Sequence, residues 1–391
     1  MTLRSTIYSL LRRECNRIKR FTPYGLLLTV LPAISILFFA TIFLNGIPNS
    51  LPIALLDQDN STLSRTLQQM IDATPEVQIL GSVSDLTTAQ QLLRQGSVDA
   101  IVLIPPSFEH DIYTLSPTSV ETYISGANIL KNGLISKGLL TTATTFNAAI
   151  SLQTLQGMGL SPQQAMAQVV PITIDKHTLF NPFTNYDYYL SPLFMPMMII
   201  IFAMLATIFA IGSELRYATA KQWLSTARGS LPVALIGKLA PICIAMCVWG
   251  WVAFFTLFYI MDIPLRGSAW MLIVGGGVVV MAYMCLAICI ISTTANMRLA
   301  LSLGGGYTVM SFSLCGLTYP TMAMHSSIQI LSKFFPFTYF AELVVEQAVR
   351  GTPTAYSLHL LGSMTLFVLP ALCLLPRLRQ VTTNRTFFGR E

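Results

Sequence analysis

Apolar and polar positions divide this 391-residue chain into two regimes. Six long runs carry few or no charges: Phe21–Ile47, Tyr188–Ser213, Leu239–Met261, Gly267–Met297, Leu299–Ser332 and Gly351–Pro376. A bilayer core about 30 Å thick needs roughly 20 helical residues at 1.5 Å each, so every run is long enough to span. Between the first two runs lie about 140 residues patterned like a water-soluble domain. Short strands are predicted there at Ile53–Asp57, Val77–Val83, Ala100–Pro105 and Val120–Ser125. Leu63, Leu67, Met70 and Ile71 recur at helical spacing, as do Leu86, Ala89, Leu92 and Leu93 between Asp85 and Gly96. Residues 127–157 lack proline and read as a long helix or helical pair, and Ser161-Pro162 opens another.

The pattern predicts a polytopic α-helical membrane protein with a mixed α/β insert. Residues 1–47 hold an interfacial helix and the first transmembrane helix. Residues 48–187 form the α/β domain, and 188–391 the five remaining helices and a tail. In the N-terminal segment, Leu3, Ile7, Leu10, Leu11, Ile18 and Phe21 make a helical stripe with basic residues between them. That pattern suits an interfacial helix or a positively charged anchor. The stretch from Pro320 to Arg350 is neither a loop nor a clean span, and predicts a re-entrant or interfacial hairpin on the outer side before the last span. Within it Glu342, Glu346 and Arg350 fall at i, i+4, i+8, with Glu346 and Arg350 ordered as an ion pair.

Charge sets the expected orientation. Only 10% of the residues are charged and the mean hydropathy is +0.62, which excludes an ordinary soluble enzyme. The 23 Lys and Arg residues sit at helix ends rather than on one face, so they do not read as a nucleic-acid surface. Arg4, Arg12, Arg13, Arg17, Lys19 and Arg20 precede the first span; Arg216, Lys221 and Arg228 follow the second; Arg377, Arg379, Arg385 and Arg390 follow the last. The loop between the third and fourth runs offers only Arg266. By the positive-inside rule both termini are cytosolic and the α/β insert is extracytoplasmic. Lys238, at the edge of its run, is expected to snorkel to the inner surface.

Little in the chain points to chemistry of its own. None of the seven cysteines lies in the insert, and the Cys243/Cys247 and Cys285/Cys289 pairs read as small apolar side chains rather than a metal site. The four histidines are scattered, and neither a phosphate-binding Gly-x-x-x-x-Gly-Lys loop nor a Gly-x-Ser-x-Gly nucleophile occurs. Gly275–Gly277 and Gly304–Gly306 are expected to allow close helix packing. Ionisable residues within the runs are few, which argues for an energy source outside the chain rather than ion coupling.

Several stretches carry a resemblance. The insert opens LPIALLDQDNSTLSRTL and continues LLRQGSVDAIVLIPPSFEHDI; the return to the membrane reads FNPFTNYDYYLSPLFMP. After the second run comes SELRYATAKQWLSTARGSLPVALIGKLAP, and before the last LSKFFPFTYFAELV. In layout over nearly its whole length, and in these segments, the chain resembles the permeases of type-2 ABC exporters that carry a large domain between the first two spans. In that family a Glu after the second span is followed by Gly-Thr, a helix, a Ser-Pro and a closing Gly-Lys. Here Glu214, Thr219, Gly237 and Lys238 stand in those places, Ala218 replaces the glycine, and the Ser-Pro is absent.

The resemblance implies a transmembrane permease subunit of an ABC exporter, carrying a hydrophobic or amphipathic substrate outward across the bacterial inner membrane. It binds no cofactor itself; ATP and Mg belong to a separate ATPase subunit. The coupling loop would comprise Glu214, Arg216, Thr219, Lys221, Trp223, Leu224 and Arg228, with Trp223 and Leu224 as exposed apolar anchors. Pro320, Pro336, Thr338, Tyr339, Glu342 and Glu346 would form an outer-side gate or hairpin. A second permease half, identical or paired, is expected, together with a periplasmic adaptor and an outer-membrane channel where the source has two membranes. The competing readings are a receptor with an exterior ligand-binding domain, a membrane enzyme and an ion-coupled transporter. No signalling domain supports the first, and no clustered acid–base site the second.

Overall fold

The structure, a computed structural model, describes residues 3–42, 48–114, 116–169, 179–181 and 185–389. The end of the first run (43–47), residues 170–178, residues 182–184 of the return to the membrane and Arg390 lie outside the described residues. Two compact units divide the chain: Met1–Gly46 with Leu179–Glu391, and Ile47–Thr178. Residues 179–181 and 185–187, read with the insert from sequence, thus group with the helical unit.

The helical unit begins with α1 (Leu3–Arg20), followed by α2 (Thr22–Leu28) and α3 (Val30–Ile42), which together make the first candidate span.

In the second unit β1 (Leu51–Asp57) is central, parallel to β2 (Val77–Ser82) on one side and to β3 (Ala100–Ile104) on the other; β4 (Glu121–Ile124) pairs antiparallel with β3. All four strands fall on the stretches the pattern predicts. The helices between them are α4 (Thr62–Asp72), α5 (Leu86–Gln95) and α6 (Phe108–Tyr113), followed by α7 (Ile129–Gly157) and α8 (Pro162–Val169). Helix α5 shows why the sequence was legible. Asp85 accepts the Thr88 N–H at 2.7 Å as N-cap, and Gly96 closes the helix at φ 74°. The Asp-Gln-Asp turn after β1 is built the same way. Asp57 Oδ1 accepts the N–H groups of Asp59 and Asn60, and Asp59 Oδ2 accepts the Glu109 N–H at 3.0 Å, tying the turn to the Ile-Pro-Pro-Ser-Phe segment. Leu55, Ile53, Val102, Leu67 and Ile135 fill the core.

The rest of the helical unit comprises α9 (Tyr186–Arg216), α10 (Ala220–Thr226), α11 (Leu231–Phe255, extended by a π-helical turn to Ile260), α12 (Ala269–Thr294), α13 (Met297–Ser313), α14 (Ser326–Ser332), α15 (Pro336–Val344, continued by a π-helical segment to Arg350), α16 (Thr354–Thr365) and α17 (Val368–Thr383). Among the described residues five helices are long and apolar enough to cross a membrane, or six if the bent pair α14–α15 is one span. Helix α9 is the central one: 72% of its apolar window is buried, against 17% for the first and last spans. The remaining apolar surface, such as Leu37, Phe38, Trp251 and Leu369, faces outward as a lipid-facing surface should.

Two expectations change. The fifth run is cut short: α13 holds 17 residues, about 25 Å at 1.5 Å each, and ends before Gly316 turns the chain at φ 93°. The stretch to Arg350 is then a short 3-10 turn and the pair α14–α15, bent by 88°. That corner has a specific cause. Pro336 opens α15, while Thr338 Oγ1 donates to Ser332 O at 2.8 Å and Tyr339 OH to Lys333 O at 3.1 Å, fastening α15 to the last carbonyls of α14. The expected Glu346–Arg350 pair is absent. The π-helical segment alters the spacing on which an i, i+4 pair depends, and Glu346 instead accepts the Ser357 hydroxyl at 2.5 Å. Pro320 and Glu342 are exposed.

Candidate functional site

The loop between α9 and α11 folds back on the helical unit instead of standing free. Helix α10 places Ala220, Trp223, Leu224 and Ala227 on one face, at the i, i+3, i+4, i+7 spacing of an amphipathic helix, and all four are buried. Trp223 is 1% exposed and Leu224 8%. The expectation that these two are exposed anchors is therefore corrected: they are core residues. Burying a large aromatic is worth several times what a rim contact gives, and the Trp223 indole N–H finds the Ala234 carbonyl at 3.2 Å. The outward face of the loop is polar, carrying Lys221, Gln222, Ser225 and Arg228.

Beneath α10 lies a buried cluster of ions. Glu214, at the end of α9, accepts two hydrogen bonds from the Arg13 guanidinium, at 2.6 Å and 2.9 Å. Its Oε1 also receives Lys238 Nζ at 2.8 Å, and its Oε2 the Thr219 hydroxyl. Lys238 Nζ reaches across to Glu14 Oε2 at 2.7 Å, and Glu14 Oε1 accepts the Tyr24 phenol at 2.8 Å. Arg17 donates to Ser213 Oγ at 2.7 Å and approaches Glu214 Oε1 at 3.4 Å. The ammonium of Lys238 also sits 5.0 Å from the centre of the Trp223 ring. Lys238 is 1% exposed, so the expectation of a snorkelling lysine is overturned: two carboxylates and an indole satisfy it where it stands, and water need not.

The cluster ties α1, α9, α10 and α11 into one body. Helix α1 turns Thr6, Leu10 and Glu14 inward and packs along α11. The approach is close because of Gly237: a Cβ there would stand 2.5 Å from Leu10 Cβ. Ala218, which replaces the family's glycine, adopts φ 55°, the left-handed region that glycine enters without strain. Thus Glu214, Thr219 and Trp223 of the expected loop come together with Lys238, while Lys221 lies outside on the exposed face. Arg216 is partly buried and Arg228 exposed, and neither joins the cluster. The corner residues Pro336, Thr338 and Tyr339 belong to the α14–α15 bend described above. Sequence reasoning missed Glu14 altogether. Its signal was a single carboxylate amid five neighbouring cations, matched by a lysine at the edge of an apolar run.

Among the described residues no three His, Cys, Asp or Glu side chains are placed to hold a metal. The family described as ABC-2 family transporter protein matches residues 24–375, which takes in the helical unit from α2 through α17 as well as the α/β unit. No curated protein matches the chain.

Proposed function

This chain belongs to the ABC-2 transporter family, and we propose that it is the membrane permease subunit of an ATP-driven exporter. A separate ATPase subunit supplies the energy, holds ATP and Mg, and docks on the polar face of α10 through Lys221, Gln222, Ser225 and Arg228. Trp223 and Leu224 act from beneath. They fix α10 to the ion cluster, so a push on the outer face moves α1, α9 and α11 together. The observation that carries this reading is the Lys238 bridge between Glu14 and Glu214, at 2.7 Å and 2.8 Å, directly under the short helix. Side chains separated by more than 200 residues in sequence are locked there at one point.

In this reading the termini and α10 are cytosolic, the α/β unit is extracytoplasmic and the α14–α15 corner lies on the outer side, in the bacterial inner membrane. The substrate is hydrophobic or amphipathic, and a second permease half, identical or paired, completes the pathway. A periplasmic adaptor and an outer-membrane channel would extend it where two membranes must be crossed. The chain hydrolyses no ATP alone.

The test is affinity purification of the tagged chain in mild detergent, with mass spectrometry and an ATPase assay. Co-purification of a nucleotide-binding subunit, lost in Lys221→Glu/Gln222→Glu, is expected. Hydrolysis by the pure chain would refute it; a stable chain with no ATPase partner would refute it and favour a receptor or an ion-coupled transporter.

A further inference from the structure

Two adjoining cavities in the helical unit share Pro192 and Val344 as wall residues. The first, a narrow slot, lies among α9, α11, α12 and α15, and among the described residues none that lines it is charged. Its walls include Met246, Phe254, Leu272, Val280 and Phe340. Glycines make the room. Gly250, Gly276 and Gly277 line the cavity, and a Cβ at any of them would meet nothing within 4 Å. Gly275, by contrast, is a packing glycine, with Leu343 Cδ2 at 2.3 Å from the place of its Cβ. The glycine run expected to serve close packing therefore does two jobs. Trp251 also lines the cavity and is 56% exposed, so the space opens toward the lipid-facing surface. Along α12 the lining runs from Leu272 to Val280 and along α11 and its π-helical turn from Met246 to Phe258, about 12 to 18 Å at 1.5 Å per residue. That is roughly half of a hydrocarbon core about 30 Å thick.

The second cavity, wider than the first, lies at the end of α11 remote from Lys238. Among the described residues Arg266 is the one charged side chain lining it, together with Asn181, Tyr188 and Tyr189. The Arg266 guanidinium rests over Phe180 at 5.2 Å and donates to the Phe180 carbonyl at 3.5 Å; among the described residues no carboxylate pairs with it. Asp187 is buried and accepts the Ser191 hydroxyl, Asp262 is exposed, and neither lines the cavity.

An apolar slot open to the bilayer, adjoining a cation that no carboxylate among the described residues pairs with and that lies beside aromatic rings, has the polarity profile of an anionic lipid. We propose that the two adjoining cavities bind one anionic phospholipid per chain, an acyl chain in the first and, across the shared Pro192–Val344 wall, the phosphate-bearing headgroup against Arg266. In a membrane the tail gains little by leaving other tails, so selection falls on the headgroup.

The full chain, purified in detergent, is mixed with phosphatidylglycerol and phosphatidylcholine of identical acyl chains in equal amounts, and retained lipid is counted by native mass spectrometry. One retained lipid per chain is expected, with about fivefold preference for phosphatidylglycerol, the effect of one near-surface cation. Arg266→Gln, at an exposed position, abolishes the preference while retention persists; Gly277→Leu, which fills the slot, abolishes retention of both lipids. Quenching of Trp251 by acyl-brominated phosphatidylglycerol, stronger than by its phosphatidylcholine counterpart and equalised by Arg266→Gln, checks the slot without altering its glycines. Equal retention of the two lipids by the unaltered chain, a preference that survives Arg266→Gln, or equal quenching from the start would overturn the proposal.

Discussion

Replacing Lys238 by Met tests the ion cluster most stringently, because the side chain stays unbranched and fills nearly the same space while the ammonium and its two hydrogen bonds are lost. Lys238 Nζ contacts Glu14 Oε2 at 2.7 Å and Glu214 Oε1 at 2.8 Å. The two carboxylates are left in different positions. Glu214 keeps the Arg13 fork and Arg17, whereas Glu14 keeps only the Tyr24 phenol. A buried charge pair about 4 Å between centres is worth about 4 kcal/mol at an effective dielectric of 20. Removing one partner of a buried pair costs about 3–5 kcal/mol, because the other charge stays buried. Lys238→Met is therefore expected to lose about 3–5 kcal/mol of stability, with the loss centred on Glu14. Adding Glu14→Gln removes the orphaned charge, so the double variant recovers much of it, with a coupling of about 1–3 kcal/mol. The assay is reversible unfolding in mixed micelles titrated with a denaturing detergent, on the two single variants and the double. A Lys238→Met cost below about 1 kcal/mol, or strictly additive losses, would refute the reasoning.

Three further outcomes follow from the same region and from the α/β unit. Gly237→Ala drives a Cβ to 2.5 Å from Leu10 Cβ, an atom tethered to the α1 backbone; about 1–3 kcal/mol is lost in the same unfolding assay, whereas Gly276→Ala, which meets open space, costs nothing. Ala218→Gly relieves a left-handed alanine at φ 55° and raises the unfolding midpoint by the equivalent of about 1 kcal/mol. In the α/β unit, the hydrogen bonds from the Thr88 N–H and hydroxyl hold the Asp85 carboxyl below the usual carboxylate range. Its capping contribution is then constant above the unfolded pKa and lost as pH falls through the lowered folded value, so the protection of the α5 amides relative to their intrinsic exchange rates falls at acid pH, and that acid dependence disappears in Asp85→Asn.

Elements governed by local rules were legible in the sequence. The four strands, the caps at Asp85 and Gly96, and most of the apolar spans depend on neighbours within a few residues. The α14–α15 corner was half legible: prolines marked a break, but the hydrogen bonds of Thr338 and Tyr339 that set its 88° angle are tertiary details. The ion cluster was hidden because its partners are far apart in sequence. Arg13 and Arg17 satisfy the positive-inside pattern whether or not they meet Glu214, and Lys238 looks the same snorkelling or paired. Trp223 misled for a related reason. Hydropathy marks an apolar residue on a short polar loop as unusual, yet gives no sign of whether a partner protein or the chain's own core covers it.

The central claim is that the polar face of α10 is the seat of an ATPase subunit, with the buried face and the ion cluster transmitting its push. Photo-crosslinking residues placed singly at Gln222, Ser225 and Trp223 in the full-length protein, in its native membrane, test this directly. The account predicts adducts with a nucleotide-binding ATPase from Gln222 and Ser225 and none from the buried Trp223. Adducts with no such subunit from either exposed position would contradict it.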